Sequence, residues 1–292
     1  MMLLGCFYGD RDAFELAVRL HPTFRGKVFC MPAFRPRAEL WLLQTALLTI
    51  VFGKLCSNRM AHEMAHIFWG SVVTLFRRSA LFSQRLLDTS SGGNNGSDGA
   101  DAEALWRAWI ENESSKRTAL IVFMEDVDYA ALFRHSPTLS AFQVQLTLPC
   151  EEDEWDAPNA QAWLAINRQP GRTAPMPFIS ALKSCLIPGP HTPPLNPFSR
   201  ILALHGLMSL SQDLQWRDHV IGFSSPEGRA RKDWREMISG AYNAWKARVD
   251  TTLLTAPRLT CLLLRASISL YAVAHITLSI DIHELQIWAG AE

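Results

Sequence analysis

An all-α fold follows from three features of the chain. Apolar residues recur at helical spacing over most of the 292 residues. The long interruptions of that pattern fall at residues 88–101 and 170–198, both rich in loop-forming residues. Alternation of apolar and polar residues, the signature of a half-buried strand, is confined to one short stretch around Val144, Leu146 and Leu148.

The elements follow in order. Residues 13–19 form a short helical piece, and residues 37–55 a second, almost wholly apolar helix. Ser57 or Asn58 supplies the N-cap of a third helix that runs to about Arg78. The stretch "DTSSGGNNGSDGAD" (88–101) has no apolar side chain before Ala100 and reads as an exposed loop. It lacks the GxGxxG and Walker spacings that cradle phosphates. From Ala102 to Phe133 apolar residues return at helical spacing, among them Leu105, Trp109, Leu120, Phe123, Val127 and Leu132. The alternating stretch beyond suits either a short strand or an extended connector docked on helices. Asp156, followed by Pro158, reads as the cap of a helix through Trp163 and Ile166. Residues 170–198 read as loop around one short helix, 178–186. Three helices then close the chain, over 198–215, 228–252 and 259–288. No internal repeat at a fixed period is visible.

Composition narrows the function classes. Hydrophobic residues make up 48% and charged residues 19%, enough for a sizeable core. Lys plus Arg equals Asp plus Glu, 28 each, which argues against a nucleic-acid surface, since such surfaces need a clustered positive excess. The small basic run of Arg25, Lys27, Arg35 and Arg37 reads as solvated loop and helix start. The six cysteines form no CxxC pair, so neither a zinc finger nor a thioredoxin-like motif arises from local spacing. Most stand among apolar neighbours, as buried reduced thiols do, which suits cytosol or nucleus. The N-terminus lacks the basic segment of a signal peptide. No membrane span is expected: the run 40–53 is too short, and 259–280 carries Arg265 and His275.

One motif carries sharp chemistry. "HEMAH" places His62, Glu63 and His66 in the HExxH pattern, in which two histidines on one helix face hold zinc and the glutamate takes a proton from zinc-bound water. A catalytic zinc needs a third protein ligand. The metzincin extension fails at Trp69 and Val72, where it needs Gly and His. A later glutamate would have to be Glu103, Glu111 or Glu113; Ser115 and Arg117 follow the last two where a supporting Asp is usual. The helix also has an apolar stripe of Ala61, Met64, Ala65, Phe68, Val72 and Leu75, with His62, His66, Trp69 and Val73 along its edge. Packing explains the motif better than catalysis does. "EEDEWD" (151–156) reads as an acidic helix start favoured by the helix dipole, or as an acidic-aromatic interaction patch. His205 and Asp213 share a helix face, but no nucleophile motif accompanies them, and GxSxG is absent. Trp106, Trp109, Trp163, Trp216, Trp234, Trp245 and Trp288 fall at helical positions and are expected in core or inter-helix packing.

Five stretches in order, "HEMAHIF", "KRTALIVFMEDVDYAALF", "LSAFQVQLTLPCEEDEWDA", "ALHGLMSLSQDLQWRD" and "AHITLSIDIHELQIWAGA", resemble the fungal-specific transcription factor domain, the regulatory middle homology region. The resemblance runs from about Leu3 to Ala291. It is nearest to factors whose DNA reader is a pair of two-Cys-two-His zinc fingers. Arg117, Phe123 and Asp126 match the basic-aromatic-Asp helix by which the domain is identified. The resemblance implies an all-helical regulatory module over 1–292, in a nuclear protein, tuning transcription by RNA polymerase II and catalysing nothing. Its partners would be transcription machinery or regulatory proteins, with a homodimer as one option and no membrane. DNA and zinc would be bound only by fingers absent from these residues, so no catalytic, cofactor or metal residue is expected here. On this reading the chain is a fragment truncated at both ends, a short gene product, or a gene with wrongly drawn boundaries. Two alternatives stand beside it: a zinc-dependent hydrolase using His62, Glu63 and His66, and a helical interaction scaffold without a DNA reader.

Overall fold

The fold was obtained as a computed structural model. It describes residues 2–79, 81–82, 99–133, 136–169, 175–187, 194–221, 229–255, 262–280 and 282–290. Helices account for nearly all regular structure, and no strand occurs among these residues. The chain forms two compact units, Met1–Phe82 and Ser83–Glu292.

The first unit holds α1 (Met2–Gly5), a 3-10 turn (Cys6–Tyr8), α2 (Arg11–Phe29), α3 (Leu40–Leu55) and α4 (Arg59–Arg78). Asp10 caps α2 by accepting the Ala13 N–H at 2.8 Å. The sequence predicts only residues 13–19 here. The helix instead runs on through Pro22. Tertiary contact outweighs propensity: buried His21 donates Nε2–H to the Thr49 carbonyl of α3 at 2.9 Å, pinning the turn where Pro22 has no N–H to give. A β-carbon on Gly53 would come within 2.9 Å of the His21 ring and 3.2 Å of the Ala61 carbonyl. Only glycine lets α2, α3 and α4 approach so closely. Asn58 is the α4 cap, accepting from Ala61 N–H at 2.9 Å.

The second unit holds α5 (Gly99–Phe133), α6 (Glu152–Trp155), α7 (Ala160–Asn167), α8 (Phe178–Leu186), α9 (Pro197–Ile221), α10 (Arg229–Thr255), α11 (Leu262–Ser279) and α12 (Ile282–Trp288). Helix α5 begins inside the loop expected over 88–101; residues 88–98 of that loop lie outside the described residues, as do 170–174 and 188–193 of the second loop. The short helix expected over 178–186 is α8. Asn159, not Asp156, caps α7, since its side chain accepts the Ala162 N–H at 2.9 Å. The single helix expected over 259–288 is two, α11 and α12. The first ends at Ser279, a type that competes with the helix for its own backbone bonds, and the second begins at Ile282.

The alternating stretch is an extended connector. Its one β-bridge joins Thr147 to Pro177, flanked by Leu148 N–H to Met176 O (2.8 Å) and Phe178 N–H to Leu146 O (2.9 Å). Its apolar side chains Val144, Leu146 and Leu148 are buried. Helix α9 packs on α5, α8, α10 and α11 and is the centre of this unit. Leu202, Leu204, Leu207 and Met208 fill its core face.

Gly206 sits where α8 crosses α9, and a β-carbon there would lie 2.9 Å from Phe178 and 3.0 Å from Leu182, both buried. Gly206→Ala is therefore expected to destabilise the fold by about 1–3 kcal/mol through overpacking, despite alanine's better helix propensity. Urea denaturation of the two proteins measures it; an equal or higher midpoint for the variant would refute this packing.

Candidate functional site

The HExxH helix is α4. Its hydrophobic face centres on Ala61, Ala65, Trp69, Val72, Val73 and Phe76, so Trp69 and Val73, expected at the edge, are core residues. His62 and His66 stand beside that core, half-buried. The Lys54 carbonyl at the end of α3 lies 2.9 Å from His62 Nδ1. A carbonyl only accepts, so this nitrogen carries the proton. His66 Nε2 lies 2.9 Å from His62 Nε2, and one of the two donates to the other. Glu63 points outward and pairs with Arg59 at 3.0 Å. Among the described residues no group of three or more His, Cys, Asp or Glu side chains could hold a metal. Two of the three candidate glutamates have other partners: Glu103 pairs with Arg107 (2.9 Å), and Glu113 with Lys116 and Arg117. The motif thus has a structural account, the docking of α4 on the end of α3.

The second unit places the basic-aromatic-Asp motif at its centre. Glu113, Lys116 and Arg117 lie on one face of α5 at spacings of three and four residues. Glu113 and Lys116 are buried and in direct contact. Arg117 Nε donates to Glu113 Oε1 at 3.0 Å, and so does the Cys150 N–H at 3.0 Å. Lys116 reaches on to the Leu148 carbonyl (3.1 Å) and Arg117 to the Cys150 carbonyl (3.2 Å). The guanidinium lies 4.3 Å over Trp155 and 5.6 Å from the Phe198 ring. Asn196, the cap of α9, donates to the Pro149 (3.3 Å) and Cys150 (3.2 Å) carbonyls while accepting the Ser199 N–H (2.8 Å). Burial works against the Glu113 anion, but Lys116, the Cys150 N–H and Arg117 outweigh it, and the carboxyl sits below its ordinary pKa. Burial, with Glu113 beside it, pushes the Cys150 thiol up to about 12, so it remains protonated and is no nucleophile.

Two turns further along α5, Phe123 meets Phe178 of α8 edge-on at 5.6 Å. Buried Asp126 accepts both the Thr138 (2.8 Å) and Leu139 (2.7 Å) N–H groups. Ser140 then caps a 3-10 turn (Ala141–Gln143) and donates its hydroxyl to Asp213 of α9 at 2.7 Å. Ser209 of α9 accepts the Ala141 N–H at 3.1 Å. Arg117, Phe123 and Asp126 thus each bind a different returning segment to α5. His205 and Asp213, noted as a pair in the sequence, are separated in role. Buried His205 gives Nδ1–H to Ile201 O (2.8 Å) and turns Nε2 toward Asp128 at 3.3 Å, an ion-pair contact. Burial lowers its basicity, yet Asp128, the Ile201 carbonyl and Glu125 prevail and raise its pKa.

Other expectations are corrected. Trp163 and Trp245 are core residues, but Trp216 and Trp288 are exposed. Of the described cysteines Cys185 alone is buried, Cys30 is exposed and all five are free thiols. In "EEDEWD" Glu151, Glu152 and Asp153 are solvated, while Glu154 is buried and Trp155 carries Arg117. The Glu113–Lys116–Arg117 cluster and the His205–Asp128 contact escaped sequence reading. The first had a signal in its helical spacing; the second joins two helices and had none.

Removing Glu113 strands two cations. Glu113→Ala is expected to cost about 3–5 kcal/mol, against less than about 1 kcal/mol for Arg107→Ala in the exposed Glu103 pair; urea midpoints compare them. His205, with a raised folded pKa, contributes stability that is complete below its unfolded value of about 6.5 and fades as pH rises through the folded one. Wild type should therefore lose stability relative to His205→Gln as pH is raised through that interval, as thermal melts in a pH series would record.

Comparison with known proteins gives the family. The sequence model of the Fungal specific transcription factor domain matches residues 1–247. The chain is 35% identical to the "Nicotinate catabolism cluster-specific transcription factor" of Emericella nidulans, over 100% of this chain and 34% of that protein. It is 30% identical to "Zinc finger protein klf1" of Schizosaccharomyces pombe, over 99% of this chain and 37% of the relative. A third relative, "Zinc finger protein zas1" of the same yeast, is 28% identical over 81% of this chain and 26% of its own length. The chain therefore spans about a third of the length of the relatives that match it most fully. No solved structure matches. By its helices, by the motif at the centre of α5 and by these matches, the chain belongs to the fungal specific transcription factor domain family.

Proposed function

We propose that this chain is the regulatory region of a zinc-finger transcription factor acting with RNA polymerase II in the nucleus, and that it performs no catalysis. The family match over residues 1–247 carries this reading. Two relatives bear zinc-finger names, and this stretch spans a third or so of their length or less. DNA reading and its zinc then belong to residues outside this stretch. That assignment suits the formal net charge of zero and the absence of any CxxC pair here. The partners are transcription machinery or regulatory proteins, met on surfaces of the helical units. The hydrolase alternative would need a third ligand beside His62 and His66.

The test joins the chain to a heterologous DNA-binding domain in a fungal host carrying the matching reporter. Reporter output is expected to rise or fall by several-fold against the DNA-binding domain alone, and Glu113→Ala should abolish the change. An output equal to that of the DNA-binding domain alone, with the fusion present in the nucleus, would count against a regulatory role. Metal analysis of the purified chain should find zinc well below one equivalent. Stoichiometric zinc that disappears in both His62→Ala and His66→Ala would instead support the hydrolase.

A further inference from the structure

One corner of the second unit gathers positive charge without an anion to meet it. Acids and bases are equal in number over the whole chain, yet no aspartate or glutamate occurs between Asp156 and Asp213. That interval supplies α8 and the first part of α9, and both pack on α10. At their junction Arg200, in the first turn of α9, crosses to α10. Its Nε donates to the Leu195 carbonyl at 2.7 Å, and its Nη1 to the Arg248 carbonyl at 3.2 Å and to the Thr252 hydroxyl. The Trp245 indole N–H returns the link, donating to the Arg200 carbonyl at 2.7 Å. Arg248 rises from the same stretch of α10, and both arginines are half-buried. They stand close enough to repel: burial lowers the Arg200 pKa, and the Arg248 charge lowers it further. Arg248 also reaches α8, where burial raises the Cys185 thiol and the guanidinium opposes that rise.

Nothing on these elements neutralises the pair. Over residues 241–255 of α10 the one carboxylate is Asp250, and both its oxygens are bonded to Lys246, at 2.6 and 2.7 Å. The sequence joining α8 to α9 holds no acid, and that joining α10 to α11 adds Arg258 and no acid. Among the described residues the Arg248 guanidinium has no hydrogen-bond or ion-pair partner, and Nη2 of Arg200 has none. Arginine cannot shed its proton to escape the cost. The ends of α8 and α10 offer about half a negative charge each, and the start of α9 takes as much away. Well over one positive charge is left.

We propose that this corner is a phosphate site, which takes the phosphate group of a small phosphorylated molecule and fastens α8, α9 and α10 together. The available donors set the shape of the ligand. Arg248 presents a whole guanidinium fork and Arg200 the single Nη2, enough for three oxygens. A phosphate monoester has three and a carboxylate two. The monoester also carries close to two negative charges at neutral pH, matching the two cations. Two half-buried arginines between three helices suit a small concave site better than the flat face of a protein partner. The site is independent of the transcriptional reading, but it is placed to act on the fold. Asn196, which caps α9 one turn before Arg200, is bonded to the Pro149 and Cys150 carbonyls of the connector.

Thermal melts of the full chain at constant pH and ionic strength, with chloride replaced stepwise by inorganic phosphate, test the site. The wild-type midpoint is expected to rise by about 2–5 °C and then level off. Sulfate should act likewise, and acetate should not. Arg248→Gln should abolish the saturating rise. Arg248→Glu should melt above wild type in chloride, its carboxylate standing where the anion would. Arg248→Lys keeps the charge and loses the fork, so it should need several-fold more phosphate for the same rise; it serves if the other variants fail to fold. An equal rise in wild type and Arg248→Gln, the general effect of phosphate on any protein, would overturn the proposal. So would the absence of a wild-type response, a response to acetate equal to that to phosphate, or Arg248→Glu melting below wild type in chloride. Saturable binding of a poly-glutamate peptide without a phosphate response would also overturn it and assign the corner to an acidic protein segment.

Discussion

A single buried carboxylate organises the larger unit. Glu113 pairs with both Lys116 and Arg117 inside the protein, and the three groups also bond the backbone of residues 148–150. Taking three charges from water is costly, and such a cluster is a weak source of net stability. Its effect is geometric. A hydrophobic substitute would accept the connector in several registers, whereas these ions accept one. From that register follow the bridge at Thr147, the place of α8 and the contact of Asn196 that starts α9.

The same helix repeats the device with different chemistry. Asp126 gathers the two N–H groups of Thr138 and Leu139, Phe123 receives Phe178, and Asp128 faces His205 on α9. The four points lie along α5 and bind chain segments far apart in sequence. Arg117, Phe123 and Asp126 are thus explained as supports of the fold. A helical domain with long connectors needs such fixings, because loop backbone brings polar groups that only specific partners satisfy.

Helix positions were legible wherever apolar periodicity ran uninterrupted, as in α3, α4 and α8. The misreadings share a cause. Only residues 13–19 of α2 were read as helical because propensity is local, yet the helix runs on through Pro22, where the bond from His21 to Thr49 holds the turn. Leu259 to Trp288 looked continuous because apolar residues do not break step at "SIDI", though the backbone does. Trp216 and Trp288 looked like core because aromatic residues usually are, and only the positions of neighbouring helices reveal their exposure. The HExxH pattern could be doubted from the sequence through its missing third ligand. The bond from His62 to the end of α3 required coordinates.

What the sequence determined alone was the all-helical class, most of the long helices in order, a cap at Ser57 or Asn58, and the family, because spacing and motif order are properties of the chain itself. Tertiary structure decided what each motif does. The partners of His62, Arg117, Asp126 and His205 lie from 4 to 33 residues away along the chain or on other helices. A local pattern shows that a polar group stands on a hydrophobic helix. Which group meets its charge or hydrogen bond depends on how the helices pack, and desolvation makes that choice matter.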